Sequence, residues 1–194
     1  MRKLTYFIAT SVDGFIGDLD GEGDFFNQFL DPEYVAALVA EYPETLPTHA
    51  HGMLGVPEDF RARRFDTVLM GRGTYDPGLK QGFTSPYAHL DQYVVSRSLT
   101  TAPDPAVKII SGDVAARVRE LKEQPGLGIW LCGGADLAGQ LAEEIDEYIV
   151  KTYPVFLGTG MPMSRAGFGV RELELTGSTT YGGGQTIATY ARKR

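Results

Sequence analysis

Cysteine is nearly missing from this sequence. Cys132 is alone among 194 residues, so an intrachain disulfide is impossible and a reduced, intracellular setting is the natural reading. Cys132 itself sits in the apolar run "GIWLCGG" and reads as a small buried hydrophobe. Basic excess is missing too. A formal net charge of −7 argues against a nucleic-acid surface, though it leaves room for a local basic pocket. No run approaches the ~20 apolar residues that span a bilayer. The opening "MRKLTYFIAT" passes into polar, acidic sequence without the apolar stretch of a secretory signal. The expectations are a cytoplasmic protein with no nucleic-acid or membrane partner. Familiar phosphate fingerprints are also lacking. "GEGDFF" and "GTGMPM" both fail at the third glycine of G-x-G-x-x-G, and there is no Walker A motif. Histidine is scarce. "THAH" sets His49 and His51 two apart, but no third ligand lies nearby, so no metal is expected.

What is present suits one globular domain over residues 1–194. Hydrophobic residues make up 43% and charged residues 22%, enough for a core of ordinary size without a metal or disulfide staple. "KLTYFIAT" (Lys3–Thr10), "DTVLMG", "QYVVS", "VKIIS", "GIWLC" and "DEYIVKTYPVF" read as strands. "DPEYVAALVAEY" reads as a helix with Asp31 as N-cap and Pro32 at its first position. "DVAARVRELKEQPG" reads as a second, capped by Asp113, and "GADLAGQLAEE" as a third, opening directly off a strand. The segment 43–60 holds three prolines and two glycines and reads as a long loop or flap. The tail "VRELELTGSTTYGGGQTIATYARKR" reads as an antiparallel hairpin. Together these give an α/β fold with a mostly parallel central sheet and an antiparallel C-terminal hairpin.

The most conspicuous stretch is "SVDGFIGDLDGEGDFF", Ser11–Phe26. Asp18, Asp20, Glu22 and Gly23 match the first positions of an EF-hand loop, but Phe29 stands where the bidentate glutamate belongs. The acids therefore read as a solvated turn. Gly14 and Gly17 come earlier, where a buried strand ends, and ligands of open α/β sheets bind outside the carboxyl ends of strands.

Three further strand ends carry groups suited to phosphate. In "WLCGGADLAGQLAEE" a strand runs through Gly133-Gly134 into a helix start, where free N–H groups and the dipole favour an anion. "VLMGRGTY" supplies Gly71, Arg72 and Thr74, and "VVSRS" supplies Ser96 and Arg97. Repetition at three strand ends points to one shared phosphate-bearing cofactor.

The ordered set "ATSVDGFIG", "VLMGRGTY", "VVSRS", "IWLCGGADLAGQL" and "VKTYPVFLGTGMPM" resembles the dihydrofolate reductase fold. It is most similar to the branch related to the C-terminal reductase domain of the bifunctional riboflavin-biosynthesis deaminase/reductase. The resemblance implies NADPH as hydride donor, with Ala9, Ile16 and Gly17 flanking the nicotinamide. It implies Gly71, Arg72 and Thr74 along the adenosine phosphates, Ser96 and Arg97 near the ribose 2′-phosphate, and Gly133, Gly134, Ala135, Asp136 and Leu137 at the pyrophosphate. It implies a cis Gly133-Gly134 peptide, and the branch contains dimers, so a homodimer is the expected assembly. Dihydrofolate reductases carry a pterin-holding carboxylate on the first helix; here Asp31, Glu33 and Glu41 are the candidates, at the ends of that helix. "DFF" replaces the usual Pro-Trp, making Phe25 or Phe26 part of a flap. The expectation is an NADPH-dependent reductase of a small heterocyclic substrate of pterin or ribosylamino-pyrimidine type, with a cofactor-binding protein that performs no turnover as the alternative. Asp13 is the acid nearest the nicotinamide by sequence and the candidate proton donor. Lys151 and Tyr153 lie on a strand whose end would face the substrate.

Overall fold

The computed structural model describes residues 1–193. Its centre is an eight-stranded sheet. In chain order the elements are β1 (Leu4–Thr10), β2 (Phe15–Gly17), α1 (Pro32–Glu41), α2 (His51–Leu54), β3 (Phe65–Gly71), α3 (Arg72–Lys80), β4 (Asp91–Val95), β5 (Val107–Ile110), α4 (Val114–Glu123), β6 (Gly128–Gly133), α5 (Ala135–Gln140), β7 (Glu147–Thr152), β8 (Met161–Pro162), β9 (Leu173–Thr180) and β10 (Thr186–Arg192). The sheet order is β5-β4-β3-β6-β1-β7-β10-β9. The first six strands in that order are parallel, and β10 and β9 close the far edge antiparallel. β2 and β8 form a small sheet of their own.

Strand residues alternate between two apolar layers, as a twofold side-chain period requires. Phe7, Val68, Met70, Trp130, Ile149 and Ile187 face a layer that contains Tyr34 and Leu38 of α1 and Tyr75 of α3. Leu4, Tyr6, Leu69, Ile129 and Leu131 face the other, against α4 and α5. Helices on both faces of a mostly parallel sheet are the expected arrangement.

Asp31 caps α1 through Oδ1, which accepts the Tyr34 N–H at 2.9 Å, and Asp113 caps α4 in the same way. Four details differ from the sequence-based expectations. The helix after Gly134 stops at Gln140, because the backbone leaves helical geometry at Leu141. The strand begun at Glu147 ends at Thr152, before Pro154. Arg72–Lys80 is a full helix despite Pro77.

The fourth detail concerns the segment 43–60, which is not a loose flap. It holds short 3-10 turns at Pro43–Thr45 and Thr48–Ala50, followed by α2. Its anchor is Glu44, wholly buried, whose Oε1 accepts N–H bonds from Arg63, Arg64 and Phe65. His89 bridges the Glu44 carbonyl and the Thr48 hydroxyl, and His49 stacks on Phe83 at 3.7 Å. Three amides on one carboxylate make a rigid wedge. Among the described residues, no helix is long and apolar enough to cross a membrane.

Candidate active site

The carboxyl ends of β4, β3, β6 and β1 lie side by side on one edge of the sheet. Three inter-strand spacings of ~4.8 Å make this row roughly 14 Å long. The residues expected at the cofactor fall along it in sheet order. Ser96 and Arg97 follow β4; Gly71 ends β3, with Arg72 and Thr74 opening α3; Gly133 ends β6, with Gly134 to Leu137 opening α5; Ala9 is near the end of β1.

Glycine is required in the middle of the row. A Cβ on Gly71 would stand 3.3 Å from Gly133 O and from Gly134 N, so a side chain there would crowd the backbone where the β3 and β6 ends meet. The Gly133-Gly134 peptide is cis, as the resemblance implied. Ala135 and Leu137 bury their side chains, while the first-turn amides of α5 have no helical acceptors. Asp136 is exposed and paired with Arg165 at 3.1 Å. Arg72 is partnered within its own helix by Asp76, and Arg97 is exposed. Ser96 is buried, and its Oγ accepts the Ser98 and Leu99 N–H groups, so it shapes the turn that presents Arg97.

The acidic stretch folds as a turn. Asp18 Oδ1 accepts the Asp20 and Glu22 N–H groups at 2.9 and 3.0 Å, an ordinary use of aspartate in turns. Gly17 is buried, and a Cβ there would meet the Gly21 backbone at 2.8 Å; its reason for being glycine is this internal packing. Ile16 lies half-buried between Phe15 and Gly17, which pair with β8. Beyond the turn, Phe26 is buried against Tyr153 at 4.8 Å, with the Phe25 ring tilted against it at 4.5 Å.

Asp13 has a different part from the expected one. Its carboxylate accepts the Ser11 hydroxyl and the Leu157 and Gly158 N–H groups. Desolvation works to raise its pKa, but those hydrogen bonds outweigh it and hold the acid below the usual carboxylate range. An anion fixed in this way ties the β1 turn to the loop after β7 and has no proton to give near neutrality. The acids of α1 are committed as well. Asp31 takes the Tyr34 N–H and Gln185 Nε2, Glu33 takes the Gly182 N–H, and Glu41 is exposed. The buried side chains of α1 are Tyr34 and Leu38, so its inner face carries no carboxylate.

On the α1 side of the sheet, Phe7, Trp130 and Ile149 are buried. One step further along the same faces, Ala9, Cys132 and Lys151 are only half-buried. Three adjacent strands thus become partly accessible together, and this end of the face is the candidate cleft. Ala9 is directly opposite Lys151 in the parallel register. Lys151 reaches back over β1, with Nζ 4.4 Å from the centre of the Phe7 ring. Burial pushes its ammonium down to about 8, with the Cys132 sulfur working the other way. Burial pushes the Cys132 thiol up to about 12, against the opposing pull of its Tyr87 hydrogen bond and of Lys151. Tyr153 continues the same face and packs against Tyr34 at 5.7 Å.

The family model described as "RibD C-terminal domain" matches residues 2–187. The chain belongs to the RibD C-terminal domain family. The uncharacterized protein YwjB of Bacillus subtilis (strain 168) is 30% identical over 183 residues, covering 93% of each chain. A putative riboflavin biosynthesis protein from Shewanella sp. PV-4 superimposes with a TM-score of 0.72 at 24% identity, over 100% of both chains. Dihydrofolate reductase from Enterococcus faecalis, solved with NADP(H) and RAB-propyl, gives 0.64 at 14% identity, over 99% of this chain and 97% of that one. These likenesses bear out the dihydrofolate reductase-like fold.

Within this RibD C-terminal domain, the strand ends that the sequence singled out lie side by side, whereas the floor of the candidate cleft was not singled out. Phe7, Cys132 and Tyr87 were not singled out as cleft residues. Their signal is the twofold period: residues 7 and 9, 130 and 132, and 149 to 153 share a face. Seeing it requires the strand order, which one sequence does not display.

Proposed function

We propose that this RibD C-terminal domain is an NADPH-dependent reductase of a small heterocyclic substrate of pterin or ribosylamino-pyrimidine type. The observation that carries the reading is the row of four adjacent strand ends, bearing in order an exposed arginine, an arginine–threonine helix start, a side-chain-free glycine crossing and a half-buried alanine beside the cleft. The residues fit the group. Arg97 would take the 2′-phosphate, the Arg72–Thr74 helix start and the bare backbone around Gly133-Gly134 the phosphates, and Ala9 and Ile16 the nicotinamide. When bound, the cofactor supplies a hydride.

The chain's own part is to bind, orient and exclude water. Phe25, Phe26 and Tyr153 close the cleft beside the acidic turn. Lys151 is the one side chain at the cleft floor able to donate hydrogen bonds as a cation. The test is thermal stability with NADPH and with NADH. Ligand at ~100 times its Kd adds about 2.7 kcal/mol to the folded state, so NADPH should raise Tm and NADH should raise it less. Arg97→Ala should erase the difference between them. No shift with NADPH would sink the reading. Tight binding without oxidation across a panel of pterins and pyrimidines would leave a cofactor-binding protein, which the carboxylate-free inner face of α1 also fits.

A further inference from the structure

The helix α1 is apolar on both sides. Tyr34 and Leu38 are buried toward the sheet. Pro32, Val35, Ala36, Val39 and Ala40 follow helical spacing on the side turned away from them, and Pro43 continues the row past the helix end. A helix that is apolar all round is a covered helix. Here the cover is incomplete. Leu54 of α2, with Pro57 and Phe60 after it, forms a second wall, and a groove of about 790 Å³ stays open between the two. That is the size of a small-molecule site. The second wall is held in place. The Phe60 ring packs edge-on against His51 at 5.2 Å and His89 at 5.4 Å, and these histidines are bonded to the Leu46 and Glu44 carbonyls. A wall fixed in advance spares a ligand the cost of ordering it.

The rim is cationic in a chain of net charge −7. The described arginines are all ion-paired except Arg61, Arg63, Arg64 and Arg97. Arg97 belongs to the candidate cofactor row, and the Arg64 guanidinium lies over the Tyr42 ring at 4.8 Å. Arg61 and Arg63 remain. Both line the groove and are exposed, and the Arg63 backbone N–H is tied to Glu44. Asp59 is the one acid in the lining and pairs with neither, so the groove carries net positive charge. We propose that this groove binds a free aryl carboxylate: the apolar body lies between α1 and Phe60, and the carboxylate takes Arg61 and Arg63. A guanidinium fork matches a carboxylate geometrically, and the walls supply the apolar burial. The site lies across α1 from the candidate cleft and uses none of the residues proposed for cofactor or substrate.

The test titrates the full chain with 1-naphthylacetate and with its neutral twin 1-naphthylacetamide, reading backbone amide shifts by NMR. Saturable shifts should concentrate in α1 and in residues 54–63. Wild type should bind the carboxylate at least about tenfold more tightly than the amide, the scale of one charge-assisted contact. In the double variant Arg61→Gln, Arg63→Gln the ratio should fall to about one with the amide's affinity unchanged, which a merely structural effect would not give. Ala40→Trp, which fills the groove from an exposed helix position, should abolish binding of both. Absent binding, equal affinities in wild type, a ratio indifferent to the arginines, or binding that survives Ala40→Trp would each overturn the inference. Two other occupants have their own signatures. Cosedimentation with phosphatidylglycerol vesicles that is lost in the double variant, without naphthylacetate binding, would give the groove to a membrane surface and overturn the free ligand. So would a wild-type dimer in analytical ultracentrifugation that becomes a monomer in Ala40→Trp, which would give it to a second copy of the chain.

Discussion

Replacing Lys151 with methionine should make the protein more stable, and by an amount that depends on pH. The ammonium titrates at about 8 in the fold against an ordinary 10.5. Each tenfold step in that equilibrium is worth about 1.4 kcal/mol, so burying the charged form costs about 3 kcal/mol when the group is protonated in both states. The Phe7 ring beneath it returns about 1 kcal/mol, leaving a net cost of about 2 kcal/mol. Methionine is unbranched and fills the same channel without a charge.

The pH dependence follows from linkage. The folded-state pKa lies below the unfolded one, so the unfolded chain binds more protons between about 8 and 10.5, and stability of the wild type rises with pH across that window. Below it the full cost is present; above it the cost is gone. Lys151→Met removes that cost. At pH 7 it should unfold about 4–8 °C higher, given 2–4 °C per kcal/mol for a domain of this size. The advantage should shrink steadily from pH 8 and vanish near pH 10.5. Scanning calorimetry on both proteins at several pH values gives the difference directly, because every other titrating group is common to both. A variant less stable than wild type at pH 7, or an advantage flat in pH, would refute the reasoning.

Other consequences of the structure are open to simple measurement. Glu44→Ala removes the acceptor of three amides at the head of β3, of which the Phe65 N–H is buried, and should cost about 1–3 kcal/mol in urea unfolding, whereas Glu44→Gln, which keeps an acceptor oxygen, should cost clearly less. Cys132, with its thiol pushed up to about 12, should resist iodoacetamide at pH 8 in the native protein and react fully once denatured. Asp13, whose pKa is lowered by its hydrogen bonds, contributes stability present above the ordinary carboxylate range and lost as pH falls through its lowered value. Asp13→Ala should therefore flatten part of the acid limb of a stability–pH curve while leaving the limb above pH 6 parallel to wild type.

Much of the architecture was legible because the strands are strongly apolar and their ends are marked by glycine. The caps at Asp31 and Asp113 were readable from local chemistry alone, since a capping aspartate acts within three residues of itself. The row of candidate cofactor residues could be read as a row because each member sits at a strand end. The segment 43–60 was not. Its prolines and glycines imitate a loose loop, and what fixes it, Glu44 on the amides of residues 63–65, is a contact between segments about 20 residues apart. The partners of Asp13 were hidden for the same reason. Its partners Leu157 and Gly158 lie across the molecule, and without them an acid near the cleft looks available for proton transfer. Gly17 shows a subtler limit: a Cβ there would meet the Gly21 backbone, a close approach that the sequence does not display.

The Glu44 wedge also decides how the molecule breathes. One jaw of the cleft is riveted: moving it would break three amide bonds on Glu44, two histidine bonds and a ring stack together. The opposite jaw, from Asp18 to Phe29, is tethered at its two ends, by the Met161 N–H on the Asp18 carbonyl and by Gln185 Nε2 on the Phe29 carbonyl; between them it is held by its own turn bonds and by Phe26 against Tyr153. In exchange with deuterated solvent the amides of residues 63–65 should be slow and those of the acidic turn fast. Ligands would then enter and leave past the glycines and acids, over a hinge whose stiffness is set by two phenylalanine rings.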